Sequence, residues 1–291
     1  RRLEGALWTG WQLKPPAETD VLIAFRKPSL LGAVREARHR LLWVAGPATY
    51  LNRSANRKQL DSLRPSIVFQ CRAQYDGWTP WRGFDRHVIA PGVRDAFLEE
   101  APRLPEDPPR AIVTGSPKQG MDWLLEMWRT RVRPEVRGAQ LHLYSGALIR
   151  QWDGRSVEDP EMRELYQQVR GMEGDGVRIR RPLPDKEMAG VYRRARVHLY
   201  PGSDSDMLAS TLAESQATGL PAVARPLGAA PERLVNGQSG YLVPDDEAFA
   251  NLTVRVMSDD DLFWSLSRDA ATLKGGRSWD VVAAEFEALW A

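Results

Sequence analysis

Short apolar runs return at intervals along the whole chain and set the strongest limit on its fold. They are Val21–Phe25, Leu41–Ala45, Ser66–Cys71, His87–Ala90, Ala111–Thr114, Leu141–Tyr144, Val177–Ile179, Val197–Tyr200, Pro221–Ala224 and Tyr241–Val243. Runs this short and this rich in Val, Ile, Leu and aromatics read as buried strands. Stretches with helical spacing lie between many of them: Leu31–Arg40, Gly120–Arg131, Pro160–Val169, Glu187–Arg194 and Ser210–Thr218. Strand–helix alternation predicts parallel sheets with helices on both faces, an α/β class.

Two sheets fit the length better than one. The segment Glu99–Arg110 holds Pro102, Pro105, Pro108 and Pro109. Proline disfavours both helix and ladder, so this segment reads as an interdomain linker. The expected layout is a first Rossmann-like domain with linker over 1–107, a second over 108–274, and a final helix over 275–291 that crosses back to the first domain. Four strands precede the linker and the chain opens with Arg1-Arg2 rather than Met. The first domain is therefore expected to be incomplete at its front.

Residues 1–110 carry 18 Lys/Arg against 12 Asp/Glu, and residues 111–291 carry 22 against 26. A basic half beside an acidic half points to two domains with different partners, the basic one suited to an anionic membrane surface or acceptor. Charge alone reads first as ordinary solvated arginines. A single cysteine, Cys71, excludes a disulfide within the chain and a multi-cysteine metal site. It fits a reducing, cytoplasmic setting. No stretch approaches the apolar length of a membrane span.

The chemistry is concentrated in Val197–Val243. A strand is followed by a mostly polar loop, Pro201–Ala209, then a short helix, Ser210–Thr218, with Gly219 as a natural C-cap. Ligands of parallel sheets sit beyond the carboxyl ends of the strands. That places Asp206 on the binding side, within reach of Glu214. The helix start offers amides suited to phosphate or sugar hydroxyls. The bland readings are that Thr211 and Glu214 form a capping box and that Asp206 caps the loop.

This region resembles the retaining GT-B glycosyltransferases, chiefly glycosyltransferase family 4. The family's Glu, seven residues, Glu appears here as Asp206, Met207–Ala213, Glu214. Ala217–Val223 looks like its Ala-x-Gly-x-Pro-Val-Val, Leu227–Glu232 like its glycine loop, and Gly240–Val243 like its Gly-x-Leu-Val. Val88–Val93 is similar to its Val-Ile-Pro-Asn-Gly-Val, Thr114–Asp122 to a shortened diphosphate loop, and Ser278-Trp279-Asp280 to the opening of its last helix.

The resemblance implies a GT-B fold, two Rossmann-like domains facing a cleft. It implies a retaining, hexosyltransferase-type enzyme that moves a sugar from a nucleotide-diphosphate sugar, on UDP or GDP, to an acceptor glycan, lipid or other molecule. Glu214 would grip the ribose, Asp206 would lie against the sugar, and Lys118 would hold the diphosphate. Donor contacts would come from Ser116, Met207, Leu208, Ala209, Ser210, Leu183 and Gly228. No metal, no further cofactor and no nucleic acid are implied.

The chain departs from the family pattern at three places. Asp206 is one methylene short, Met207-Leu208-Ala209 replaces a small Gly-x-Gly, and Ser116 replaces the diphosphate Arg. Arg180, Arg181 and Arg225 are the nearby cations that could compensate. These departures favour an alternative: a non-catalytic GT-B-like module that binds nucleotide sugar or serves in assembly. A sugar-nucleotide epimerase on the same fold is a further alternative.

Overall fold

The computed structural model describes residues 16–99, 105–155, 159–273 and 276–291. Arg1-Arg2 and Pro102 of the expected linker lie outside the described residues. Two compact units are formed. The first comprises Arg1–Gly92, Ser205–Leu208 and Trp279–Ala291, and the second Val93–Asp204 and Ala209–Ser278. The division falls at Gly92/Val93, ahead of the proline segment, because Val93 and Phe97 pack into a core of the second unit.

In the first unit β1 (Glu18–Phe25), β2 (Glu36–Trp43), β3 (Ser66–Phe69) and β4 (Arg86–Val88) form a sheet in that order, every neighbouring pair parallel. Alternate side chains point to opposite faces. Ala24, Leu42, Ile67 and Phe69 enter one core, with Leu60 of helix α1 (Ser54–Leu63) and Trp78, which follows the short helix α2 (Arg72–Asp76). Leu41 and Val68 face the other way.

The helix expected over Leu31–Arg40 does not form. A single 3-10 turn spans Pro28–Gly32, and the chain is in β2 from Glu36. Pairing with β1 from Glu36 onward, joined by β3 at Leu41–Trp43, outweighs the local spacing. Arg40 then reaches back from the strand and donates to the carbonyls of Leu31 at 2.8 Å, Val34 at 3.1 Å and Arg35 at 3.0 Å. Those are carbonyls a continuous helix would have satisfied itself.

The second unit holds six parallel strands in the order β10-β9-β8-β5-β6-β7. They are β5 (Arg110–Val113), β6 (Gln140–Tyr144), β7 (Val177–Arg180), β8 (Val197–Tyr200), β9 (Ala222–Ala224) and β10 (Gly240–Leu242). Helices α3 (Met121–Met127), α4 (Gly146–Trp152), α5 (Pro160–Gly171), α6 (Asp185–Arg193) and α7 (Ser210–Ala217) connect them, and α8 (Asp246–Ser258) and α9 (Asp260–Thr272) follow.

One face of this sheet presents Ala111, Val113, Leu141, Leu143, Val177, Val197 and Val223 to the largest core. The other presents Ile112 to Met188, Val191 and Tyr192 of α6 and to Ala213 and Ala217 of α7. Gly240 is obligatory at the start of β10: its φ is 156° and a Cβ there would stand 2.3 Å from the Ala222 carbonyl oxygen. The last helix, α10 (Trp279–Glu287), groups with the first unit, where Val282 and Phe286 meet Leu41, Val68 and Ile89. No helix among the described residues is long and apolar enough to cross a membrane.

Candidate functional site

In an open parallel sheet, ligands collect where the strand order reverses, beyond the carboxyl ends of the strands. In the second unit that point lies between β5 and β8. A pocket of about 410 Å³ opens there. Its walls are Thr114–Pro117 after β5, Tyr144 at the end of β6 with Ser145–Ala147 beyond it, Pro182 and Leu183 after β7, and Thr211 and Glu214 on α7. Arg94, Phe97, Asp185, Met188 and Tyr192 complete it.

A buried chain of hydrogen bonds fixes these walls to one another. The Ser215 hydroxyl uses its one hydrogen on the Leu212 carbonyl at 2.9 Å. Its oxygen must then accept from His198 Nδ1 at 2.7 Å. His198 Nε2 is left as an acceptor, and Thr114 Oγ1 donates to it at 3.0 Å. Thr114 also hydrogen-bonds Tyr192. Burial pushes the His198 pKa down to about 3, so the ring is neutral and this tautomer is held. The chain joins β5, β8, α6 and α7 behind the pocket wall, which Thr114 and Tyr192 reach.

Glu214 is half-buried in the second turn of α7, its side chain 14 % exposed. Burial raises its carboxyl above the ordinary value, and the Arg94 hydrogen bond pulls it back down. Arg94 Nη2 donates to Glu214 Oε1 at 3.0 Å, and Arg94 Nη1 meets Asp185 Oδ2 at 2.6 Å. The capping-box reading of Glu214 does not hold. The N-cap of α7 is Ala209, in the left-handed region at φ 44°, so Thr211 lies inside the helix. The Ala209 side chain caps nothing, and the first amides of α7 lie at the positive end of the helix dipole.

The structure brings three of the expected site residues into this pocket: Ser116, Leu183 and Glu214. Ala209 and Ser210 form the start of α7. Gly228 follows β9 at φ 54° and is not among the lining residues. Lys118 is also outside the lining. Its Nζ is held by Asp159, the N-cap of α5, at 2.5 Å and by Glu161 at 3.1 Å, and both partners raise its pKa. Asp206, Met207 and Leu208 group with the first unit. There Asp206 Oδ1 accepts from the Leu208 amide at 3.1 Å, and the Cys71 thiol lies 3.8 Å from the Met207 sulfur.

Of the compensating arginines, Arg181 pairs with Asp153 at 2.5 Å and Arg225 lies 5.0 Å from the Trp123 ring. Sequence reasoning missed Arg94, Asp185, Tyr144 and Tyr192. Arg94 directly follows the Val88–Val93 motif and Asp185 lies two residues after Leu183, so both lay beside positions already singled out. Among the described residues no group of three or more His, Cys, Asp or Glu is placed to hold a metal ion.

The family described as "Glycosyl transferases group 1" matches residues 108–259, just over half of the chain. A D-inositol 3-phosphate glycosyltransferase of Corynebacterium urealyticum is 30% identical over 139 residues, 47% of this chain and 32% of the relative. Four such relatives from Corynebacterium are matched over only 27% to 32% of their own length. A glycosyltransferase from Rickettsia africae superposes with a TM-score of 0.70 at 14% identity, over 99% of this chain and 79% of the other. The Anabaena protein HepE in complex with UDP and glucose gives 0.68 at 15%, over 93% and 77%.

Proposed function

The chain belongs to the glycosyl transferases group 1 family and has the GT-B fold, and we propose that its second unit binds a nucleoside-diphosphate sugar, on UDP or GDP, for transfer to an acceptor with retention at the anomeric carbon. One observation carries this reading. Glu214, Leu183 and the Gly115-Ser116 turn line a single pocket at the reversal of the strand order.

A carboxylate accepts from both hydroxyls of a ribose. Glu214 is positioned for that, with the Arg94 bond giving way or shifting as the ribose enters. Leu183, 36 % exposed, offers an apolar surface to the base. The start of α7 and the Gly115-Ser116 backbone suit the diphosphate. As the bond to the sugar breaks, charge grows on the departing diphosphate, and fixed amides stabilise it best where water is excluded. Lys118 would add a full positive charge if it swings from Asp159 and Glu161 towards the loop in which it sits.

The test is turnover of UDP-glucose and GDP-mannose followed by proton NMR. Release of the sugar with the donor's own anomeric configuration supports retention, and an initial product of opposite configuration overturns it.

A second reading, a nucleotide-sugar-binding module without catalysis, rests on Lys118. Two carboxylates already hold that ammonium, and Ser116 contributes no cation in its place. The same NMR experiment separates the readings: tight donor binding with no sugar release favours the module.

A further inference from the structure

Sheets covered on both faces are expected to be apolar on both, and β6 and β7 break that rule on one side. Leu141, Leu143, Val177 and Ile179 serve the large core. The alternate positions hold His142 and Tyr144 in β6 and Arg178 and Arg180 in β7, paired His142 with Arg178 and Tyr144 with Arg180. Arg110 at the start of β5 and Arg194 at the end of α6 join the same side.

Together these form a second pocket, of about 280 Å³, lined by Arg110, His142, Tyr144, Arg180, Arg181, Leu183, Val191 and Arg194. Four arginines therefore share one small cavity. The carboxylates that meet them are few. Glu106 is divided between Arg110 at 3.4 Å and Arg194 at 3.3 Å, and Asp153 takes Arg181.

Arg180 meets no carboxylate among the described residues. Its Nε lies 3.4 Å from His142 Nδ1. The Arg110 Nε is buried without an acceptor, which is uncommon for a buried donor. His142 adds no charge, because burial and then Arg180, Arg110 and Arg178 push its pKa down to about 3. Four guanidiniums against two carboxylates leave an excess of two positive charges, and the like charges repel unless an anion sits among them.

We propose that this pocket is a binding site for a phosphate-bearing dianion, separate from the pocket that holds Glu214. Guanidinium forks match phosphate oxygens in pairs, and a cavity of this size holds one or two phosphoryl groups. Val191 and Leu183 give it one apolar wall, so a phosphate monoester or diphosphate with a small organic group fits as well as the free ion. Tyr144 and Leu183 line both pockets, which puts the bound anion beside the face that Leu183 offers to the first site.

The experiment is calorimetric titration of inorganic pyrophosphate into the whole chain in a phosphate-free buffer, with wild type, Arg180→Gln, Arg194→Gln and Arg155→Gln. Arg155 lines neither pocket and serves as the control. Saturable binding to wild type and to Arg155→Gln, weakened at least tenfold in both Arg180→Gln and Arg194→Gln, is the expected result. Arg194 stands at an exposed helix end, so that variant keeps the fold even if Arg180→Gln loosens the sheet edge.

Saturating UDP is then added to wild type. Pyrophosphate that still binds with UDP present occupies the second pocket. No saturable binding, or binding that UDP abolishes and the arginine variants leave unchanged, overturns the proposal. The arginine variants decide the matter whether or not UDP itself binds.

Discussion

Arg94 Nη2 stands 3.0 Å from Glu214 Oε1, and the same guanidinium holds Asp185. The pair spans 120 residues of sequence and sets the charge of the proposed ribose ligand. Burial raises the Glu214 carboxyl and Arg94 opposes the rise.

A nucleotide that needs the Glu214 carboxylate should therefore bind well at neutral pH and weaken as pH falls through a midpoint above the ordinary carboxyl value. Arg94→Gln removes the opposing influence and moves that midpoint further up. UDP affinity measured from pH 8 to pH 4 checks the order of the two midpoints; a lower midpoint in the variant contradicts it.

The Thr114–His198–Ser215 chain predicts a stability cost that does not touch substrate. Ser215→Ala leaves the buried His198 Nδ1–H without its acceptor, a penalty of about 1–3 kcal/mol. Urea unfolding at pH 7.5 measures it.

His198 and His142 are both held at a pKa of about 3 in the fold, against 6.5 unfolded. Below pH 6.5 the unfolded chain takes up protons that the folded one refuses, so stability falls as pH drops. The slope approaches about 1.4 kcal/mol per pH unit for each histidine. Replacing His142 by Gln reduces the loss between pH 6.5 and 5, which urea titrations across that range resolve.

Gly240→Ala would force a Cβ to 2.3 Å from the Ala222 carbonyl and to 2.9 Å from its amide nitrogen. Backbone on both sides has no room to give. A destabilisation of at least about 1–3 kcal/mol follows, with β10 displaced from β9; thermal unfolding reads it.

Much of the architecture was legible because burial on both faces leaves a plain mark: apolar runs such as Ala111–Thr114 and Val197–Tyr200 can only be inner strands. Ser116, Leu183 and Glu214 were legible through their motifs and do line one pocket. Leu31–Arg40 misled because Leu31 and Val34 mimic helical spacing while β1 claims the chain from Glu36 and β3 joins it at Leu41–Trp43. Arg94 is marked only by following the Val88–Val93 motif, and Tyr144 and Tyr192 carry no local signal, since only the folding of α6 and α7 onto the sheet brings them to Glu214. The arginine pocket was invisible for the same reason: in sequence, Val177–Ile179 reads as one more short buried strand.

Glu214 as the ribose ligand is the claim on which the functional reading stands. Calorimetric titration of UDP and GDP into wild type and Glu214→Ala tests it most directly. The prediction is that one nucleotide binds wild type and that the substitution weakens it more than tenfold, about 1.4 kcal/mol. Unchanged affinity in a folded Glu214→Ala variant, or no binding of either nucleotide to wild type, would contradict it.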